Sequence, residues 1–264
     1  DSVSGREKDS ARFLIFHALR CIDYENTETV VRINGLDTPF GQDDVEAMVR
    51  AQPDIIRLPK TEKPEDIESI DELLTKVETQ AGVEVGKIKL FAAIESARGV
   101  VNAYRIASSS ERLVGIAFGA EDFVTNMHTS RSKPGTELFT ARQEILLAAR
   151  AAGLHAVDTV FSDISDDEGF RKEVELIKNM GYDGKSVINP RQVGIVHSIY
   201  MPSVDEIKTA RKIIRAIEKA EEEGSGVVAV DGKMIDKPVV DRARHTLELA
   251  QASGIYLDEI EEEE

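Results

Sequence analysis

The chain has 264 residues, of which 41% are hydrophobic and 31% are charged, and its formal net charge is −16. This composition is typical of a soluble globular protein, and the length fits one large domain or two small ones. The negative charge disfavours nucleic acid and anionic membranes as partners, because no basic patch overrides it. The apolar runs are too short to span a bilayer and the chain opens with a polar stretch, so we expect a cytoplasmic protein.

Apolar runs rich in β-branched residues alternate with helical patterns along most of the chain. The six candidate strands are 29–34, 54–59, 90–95, 113–118, 156–160 and 185–189. The helices predicted in this part are 5–20, 43–51, 64–80, 99–108, 135–152 and 168–180. Nearly continuous apolar strands that alternate with helices are covered on both faces, which predicts an α/β fold with a parallel sheet and right-handed crossovers.

Two closures of such a sheet fit the pattern, an open doubly wound sheet and a (β/α)8 TIM barrel. The first strand is not followed by the Gly-x-Gly-x-x-Gly turn of a dinucleotide-binding sheet. Most of the runs end in polar or charged residues, which suits the mouth of a barrel. A barrel needs eight strands and we find six. Either the sheet is open, or the first two strands are missing from this chain.

The pattern changes after residue 189. A long charged helix is predicted over 204–223, and the apolar runs 227–230 and 233–235 flank Asp231-Gly232, a strong hairpin signal. A helix over 238–252 and an acidic tail at 261–264 follow. We therefore predict a barrel domain over 1–224 and a C-terminal extension of hairpin, helix and tail over 225–264.

Two acidic residues at strand ends are the first candidates for chemistry. Glu95 closes one apolar strand, and Asp122 closes Gly119-Ala120-Glu121-Asp122 after the next one. Carboxyl ends of neighbouring parallel strands lie on the same rim, and two oxygen ligands with no Cys or His suit Mg²⁺. The alternative is that both acids are solvated or cap helices.

Further candidates surround this pair. The small-residue turn at Ala120 and Glu121 exposes backbone N–H groups that favour an anionic group. Arg32 lies between apolar neighbours near a strand end, and Lys60 follows another strand, so each belongs either to the site or to a structural ion pair. Asp236 precedes a predicted helix, where an acid that stabilises the helix start is a sufficient explanation.

The single cysteine, Cys21, excludes an internal disulfide, and we interpret it as a small filler residue. The five histidines do not show metal-ligand spacing. A phosphate-binding isomerase barrel is disfavoured because the last strand runs into Asn189-Pro190-Arg191 instead of a glycine-rich turn.

Six motifs resemble, in order over nearly the whole chain, the family of citrate lyase β-subunits. They are 31–34 (VRIN), 57–62 (RLPKTE), 93–96 (AIES), 119–123 (GAEDF), 184–190 (GKSVINP) and 232–236 (GKMID). The wider HpcH/HpaI aldolase and citrate lyase family comprises Mg²⁺-dependent (β/α)8 lyases that act on citryl, malyl and citramalyl thioesters. Its members begin with two strands that end near FVPG and DLED, and Asp1 matches the last Asp of the second motif.

The resemblance implies that Glu95 and Asp122 bind Mg²⁺, that Arg32 contacts the reacting acyl group, and that Asp236 enters the site of a neighbouring subunit. It implies a carbon-carbon lyase that cleaves a citryl thioester, with Lys60, Ala120 and Glu121 near the substrate. The implied partners are an α-subunit, an acyl-carrier γ-subunit and further copies of the chain in a trimer-like oligomer. Malyl-CoA or citramalyl-CoA lyase and a noncatalytic barrel subunit are the alternatives.

Overall fold

Six short strands form one parallel sheet within the first of two compact units, residues 1–189. The structure is a computed structural model that describes residues 2–222, 228–230 and 233–255. Each strand pairs in parallel with the next one along the chain. The strands are β1 (Val30–Arg32), β2 (Ile55–Leu58), β3 (Lys89–Ile94), β4 (Leu113–Phe118), β5 (His155–Asp158) and β6 (Gly184–Lys185).

The order of the strands selects one of the two predicted closures. In a doubly wound sheet the strand order reverses, so that helices cover both faces. Here the spatial order β1 to β6 repeats the chain order. Right-handed crossovers then place the helices on one face, and the sheet curls into a half-barrel. The predicted α/β fold with a parallel sheet is confirmed, while closure by two further strands stays a prediction.

The helices of this unit follow the predicted pattern with a few differences. They are α1 (Lys8–Cys21), α2 (Gly41–Ala51), α3 (Pro64–Ala81), α4 (Ala97–Val101), α5 (Ala103–Ala107), α6 (Ala120–Asn126), α7 (Phe139–Ala151) and α8 (Asp167–Met180). The single helix predicted over 99–108 is divided at Asn102, whose side chain donates a hydrogen bond to the Glu62 carbonyl at 2.9 Å. The last predicted strand, 185–189, is shorter than expected because the paired β5 ends at Asp158.

The face of the sheet that packs against the helices holds most of the core. Alternate strand residues there, such as Ile56, Leu90 and Ile116, are fully buried. Their burial is the main favourable contribution to the stability of this unit.

The same face also contains a buried ion cluster. Arg142 of α7 donates two hydrogen bonds of 2.9 Å to Asp158, and the Lys185 ammonium lies 2.8 Å from the same carboxylate. Glu173 of α8 accepts from Lys185 and lies 3.3 Å from Arg142. Arg142 and Lys185 together lower the pKa of Asp158 against the opposing effect of its burial. Each buried charge in the cluster therefore has a partner, as a dry interior requires.

The second compact unit spans residues 190–264 and contains three helices and a hairpin among its described residues. They are α9 (Pro190–Tyr200), α10 (Val204–Glu222), β7 (Val228–Val230), β8 (Lys233–Ile235) and α11 (Lys237–Ala252). The predicted hairpin strands pair antiparallel, while the turn Asp231-Gly232 and the tail 261–264 lie outside the described residues. This unit begins at Pro190, and the division predicted at 224 stays a prediction. No described helix is long and apolar enough to cross a membrane.

Candidate active site

Glu95 and Gly119 lie side by side where β3 and β4 end. The N–H group of Gly119 donates a hydrogen bond of 2.9 Å to the Ile94 carbonyl and joins the two strand ends. A β-carbon built on Gly119 would lie 2.6 Å from Cγ of Glu95. Only glycine leaves room for this approach, so the glycine fixes where the glutamate side chain lies.

Glu95 is a buried acid, with 6% of its surface exposed. Its carboxylate makes no hydrogen bond and no ion pair with any of the residues that the structure describes. Burial raises its pKa, and the nearby carboxylate of Asp122 raises it further, while the charges of Arg57, Arg32 and Lys60 act in the opposite direction. An acid in this state gains free energy from any cation that replaces its lost hydration.

Asp122 reaches the rim from the start of α6, and Lys60 reaches it from the loop that follows β2. Asp122 lies in the first turn of α6, and its side chain is 59% exposed. The ammonium nitrogen of Lys60 lies 3.9 Å from an oxygen of Asp122. Lys60 has a left-handed backbone with φ of 50°, and the loop is held there because Thr61 N–H donates to the Ala93 carbonyl at 2.9 Å. Strained loop residues of this kind often belong to functional sites.

The start of α6 supplies backbone donors beside the acid pair. The Ala120 N–H donates to the Thr159 hydroxyl at 2.9 Å, so a substrate carboxylate would compete with Thr159 for it. The N–H groups of Glu121 and Asp122 make no hydrogen bond with described residues. The Glu121 carboxylate accepts hydrogen bonds from Arg131 and from Ser162, and these bonds fix the position of the Glu121 side chain.

Two arginines lie on the face of the sheet opposite to the helices. Arg32 ends β1, is exposed and donates a hydrogen bond to the Ser2 hydroxyl. Arg32 pairs in register with Arg57 of β2, so the two side chains point to the same face. No role is assigned to Arg57 from the sequence, although a charge inside the apolar run Ile55–Leu58 is a signal for a special position.

Asp236 belongs to the second compact unit, whereas the residues above belong to the first. It is exposed, and its carboxylate caps α11 by accepting a hydrogen bond of 3.2 Å from the Val239 N–H. This contact is the helix-start function that the sequence predicts as the simple explanation.

The arrangement is suited to a hard cation and an anionic substrate. Glu95 and Asp122 offer carboxylate oxygens, the donor type that Mg²⁺ prefers, and Mg²⁺ usually keeps several water ligands beside one or two carboxylates. Within the described ranges, no group of three or more His, Cys, Asp or Glu side chains is placed to hold a metal. A metal bound by Glu95 and Asp122 would therefore need water or substrate as further ligands. Arg57, Arg32 and Lys60 place positive charge close enough to Glu95 to favour its ionised form. Fold and site together are those of an α/β enzyme, with a candidate active site at the carboxyl ends of its strands.

Comparison with known proteins extends this assignment. The family described as HpcH/HpaI aldolase/citrate lyase matches residues 1–190. Citrate lyase subunit beta of Leuconostoc mesenteroides subsp. cremoris is 51% identical over 97% of this chain and 84% of that protein. (3S)-malyl-CoA thioesterase of Cereibacter sphaeroides is 38% identical over 97% of this chain and 86% of that protein.

Solved structures agree with the sequence relatives. CitE from Mycobacterium tuberculosis in complex with magnesium, acetoacetate and coenzyme A has a TM-score of 0.73 and 32% identity, over 95% of this chain and 87% of that chain. A citrate lyase beta subunit from the same organism, complexed with oxaloacetate and magnesium, has a TM-score of 0.64 and 31% identity, over 76% and 84% of the two chains.

The chain belongs to the HpcH/HpaI aldolase/citrate lyase family. The predicted resemblance is thereby confirmed, and so is the prediction of a carbon-carbon lyase.

Proposed function

We propose that this protein cleaves a citryl thioester on an acyl-carrier protein into oxaloacetate and an acetyl thioester, as the β-subunit of a citrate lyase. The observation that carries the proposal is the buried carboxylate of Glu95, which has no direct partner among the described residues and lies next to Asp122. The high identity to a protein named citrate lyase subunit beta supports the same substrate class.

Glu95 and Asp122 are the residues that would hold Mg²⁺. The donor chemistry fits, because both are carboxylates and the partnerless Glu95 gains most from a cation. When bound, Mg²⁺ polarises the substrate hydroxyl and the adjacent carboxylate and lowers the pKa of that hydroxyl. The related structures solved with magnesium support this assignment.

The protein's own residues would then position the substrate and stabilise charge. The bond that breaks joins the hydroxyl-bearing carbon to the methylene carbon of the thioester, and its electron pair moves into the thioester enolate. Arg32 would face the thioester oxygen where this negative charge develops. Lys60 and the backbone at Ala120 and Glu121 would bind substrate carboxylate oxygens. The hydroxyl proton leaves to a base, and the enolate carbon takes up a proton to give the acetyl thioester.

Asp236 is our candidate for this proton exchange, acting from a neighbouring subunit in a symmetric, trimer-like oligomer. An α-subunit and an acyl-carrier γ-subunit in the cytoplasm would complete the assembly. The name of the relative as a subunit supports a larger complex. We also propose that the six-stranded sheet is part of a (β/α)8 barrel, which its singly wound strand order supports.

The function is tested by incubating the purified protein with citryl-acyl-carrier protein and Mg²⁺ and measuring oxaloacetate release. We expect cleavage that chelation of Mg²⁺ abolishes, and no turnover of free citrate, because free citrate lacks the thioester that stabilises the enolate. Glu95→Gln should remove activity, while the exposed Glu111→Gln serves as the matched control.

Three outcomes would overturn the proposal. Direct turnover of free citrate would contradict the thioester requirement. Faster cleavage of malyl-CoA or citramalyl-CoA would favour the alternative that the malyl-CoA relative suggests. No cleavage of any of these thioesters, together with no stabilisation by Mg²⁺, would identify a noncatalytic subunit.

A further inference from the structure

Arg57 occupies the inner face of the half-barrel below the rim, because its register partner on β3 precedes Glu95 by four residues. It pairs in register with Arg32 on one side and with Phe91 of β3 on the other, so the three side chains form one row. The residues on either side of Arg57, Ile56 and Leu58, are buried toward the helices. Arg57 therefore points away from the helices, toward the side on which Glu95 lies.

The guanidinium of Arg57 has no direct partner in the described part of the chain. Its Nε atom is buried and makes no hydrogen bond, and none of its nitrogen atoms forms an ion pair with a described residue. A buried donor without an acceptor is costly, and buried arginines are normally paired. By contrast, the buried Arg112 donates to Glu78, to Asp71 and to the Ile88 carbonyl.

The electrostatic surroundings of Arg57 favour an anion. Burial lowers its pKa and the charge of Arg32 lowers it further, while Glu95 acts in the opposite direction. The guanidinium remains protonated at neutral pH because its intrinsic pKa is so high. Two like charges on neighbouring strands repel each other, and a carboxylate placed between them would relieve the repulsion and accept hydrogen bonds from the N–H groups of Arg57.

The chemistry of the proposed substrate includes such a carboxylate. A citryl thioester has a carboxymethyl group on its hydroxyl-bearing carbon, where a citramalyl thioester has a methyl group and a malyl thioester has hydrogen. After cleavage, the carboxylate of this carboxymethyl group is the distal carboxylate of oxaloacetate, which pyruvate lacks. We propose that Arg57 binds this distal carboxylate and selects citryl over citramalyl and malyl thioesters. The inference rests on the proposed function and extends it to a specificity-determining residue.

The test compares two keto acids that differ in this carboxylate. Oxaloacetate and pyruvate are titrated separately, by calorimetry, into the Mg²⁺-bound protein and its variants. Arg57→Gln should weaken oxaloacetate binding roughly ten- to a hundredfold, the loss expected for a charged hydrogen bond, and leave pyruvate and Mg²⁺ affinities within about threefold. Arg57→Lys should fall in between, because it keeps the charge and loses the bidentate fork. The exposed Arg50→Gln is the matched control.

Substrate turnover gives a second, independent readout. The ratio of kcat/KM for citryl over citramalyl thioester should fall in Arg57→Gln by the same factor as oxaloacetate affinity. Equal weakening of both keto acids would give Arg57 only a general electrostatic role, and tighter Mg²⁺ binding with unchanged oxaloacetate selectivity would make it a counter-ion of Glu95. Either result, or unchanged oxaloacetate binding, would overturn the inference. If Arg57→Gln does not fold, the oxaloacetate, pyruvate and Mg²⁺ affinities of Arg57→Lys test the inference by the same criteria. Failure of the wild-type protein to cleave citryl thioester would instead refute the proposed function.

Discussion

A methyl group added at Gly119 should displace the Glu95 carboxylate without removing any candidate ligand. Gly119 has φ of −111° and ψ of 89°, so alanine meets no left-handed strain there. The new β-carbon would lie 2.6 Å from Cγ, 3.0 Å from Cδ and 3.1 Å from Oε1 of Glu95. Ordinary carbon contacts need about 3.5 Å or more, so the glutamate must move by roughly 1 Å.

The displacement has two measurable consequences. Overpacking of this kind costs about 1–3 kcal/mol in the free energy of unfolding. A misplaced ligand should weaken Mg²⁺ binding roughly ten- to a hundredfold, the range seen when groups that orient metal ligands are removed. Urea unfolding measures the first effect and calorimetric titration with Mg²⁺ the second. The control is Gly184→Ala, because a β-carbon at that strand glycine would meet no atom within 4 Å.

A double-mutant cycle makes the reasoning refutable. In a Glu95→Ala background the obstructing atoms are gone, so Gly119→Ala should lose its unfolding penalty. If Gly119→Ala binds Mg²⁺ with unchanged affinity, or costs the same stability in both backgrounds, then contact with Glu95 is not what excludes a side chain at position 119.

Two further predictions concern charges. Because burial and Asp122 raise the pKa of Glu95, the folded protein binds this proton more readily than the unfolded chain, and stability falls as pH rises above the unfolded pKa of about 4.3. Glu95→Gln should therefore raise the unfolding temperature at pH 7 without Mg²⁺, and this gain should vanish below about pH 4. Melting curves that show the variant to be less stable than the wild type at pH 7 would contradict the prediction. Asp236→Asn should lower the free energy of unfolding by at most about 1 kcal/mol but should strongly lower the cleavage rate. Oligomers reassembled from Asp236→Asn and Glu95→Gln subunits should regain activity. Mixtures as inactive as either parent would exclude a cross-subunit role for Asp236.

The sequence was sufficient to locate the acid pair because both acids directly follow apolar strands. Glu95 comes after β3, and Asp122 follows β4 by a short small-residue turn. Parallel strands bring such ends to one rim whatever the closure of the sheet, so the prediction did not depend on the strand order. Their roles as ligands remain a proposal.

Arg57 is not predicted from the sequence because polar residues of a site are easiest to recognise at strand ends. It lies inside β2, where side chains alternate between the inner face and the helix-facing face of the sheet. The sequence does not show which of the two alternating sets faces inward. The doubly wound alternative also stayed open, because six apolar runs are compatible with either strand order. The order is set by the pairing between strands, which no local pattern encodes.

The two faces of the sheet treat buried charge in opposite ways, and this contrast is the strongest argument for the location of the active site. On the helix-facing side, Arg142 and Lys185 each pair with Asp158 at 2.8–2.9 Å, as the interior of a stable protein requires. On the inner side, Glu95 and Arg57 have no direct partner among the described residues. Because leaving charges unsatisfied reduces stability, their retention there is best explained by groups that arrive with a ligand, a cation for Glu95 and a carboxylate for Arg57.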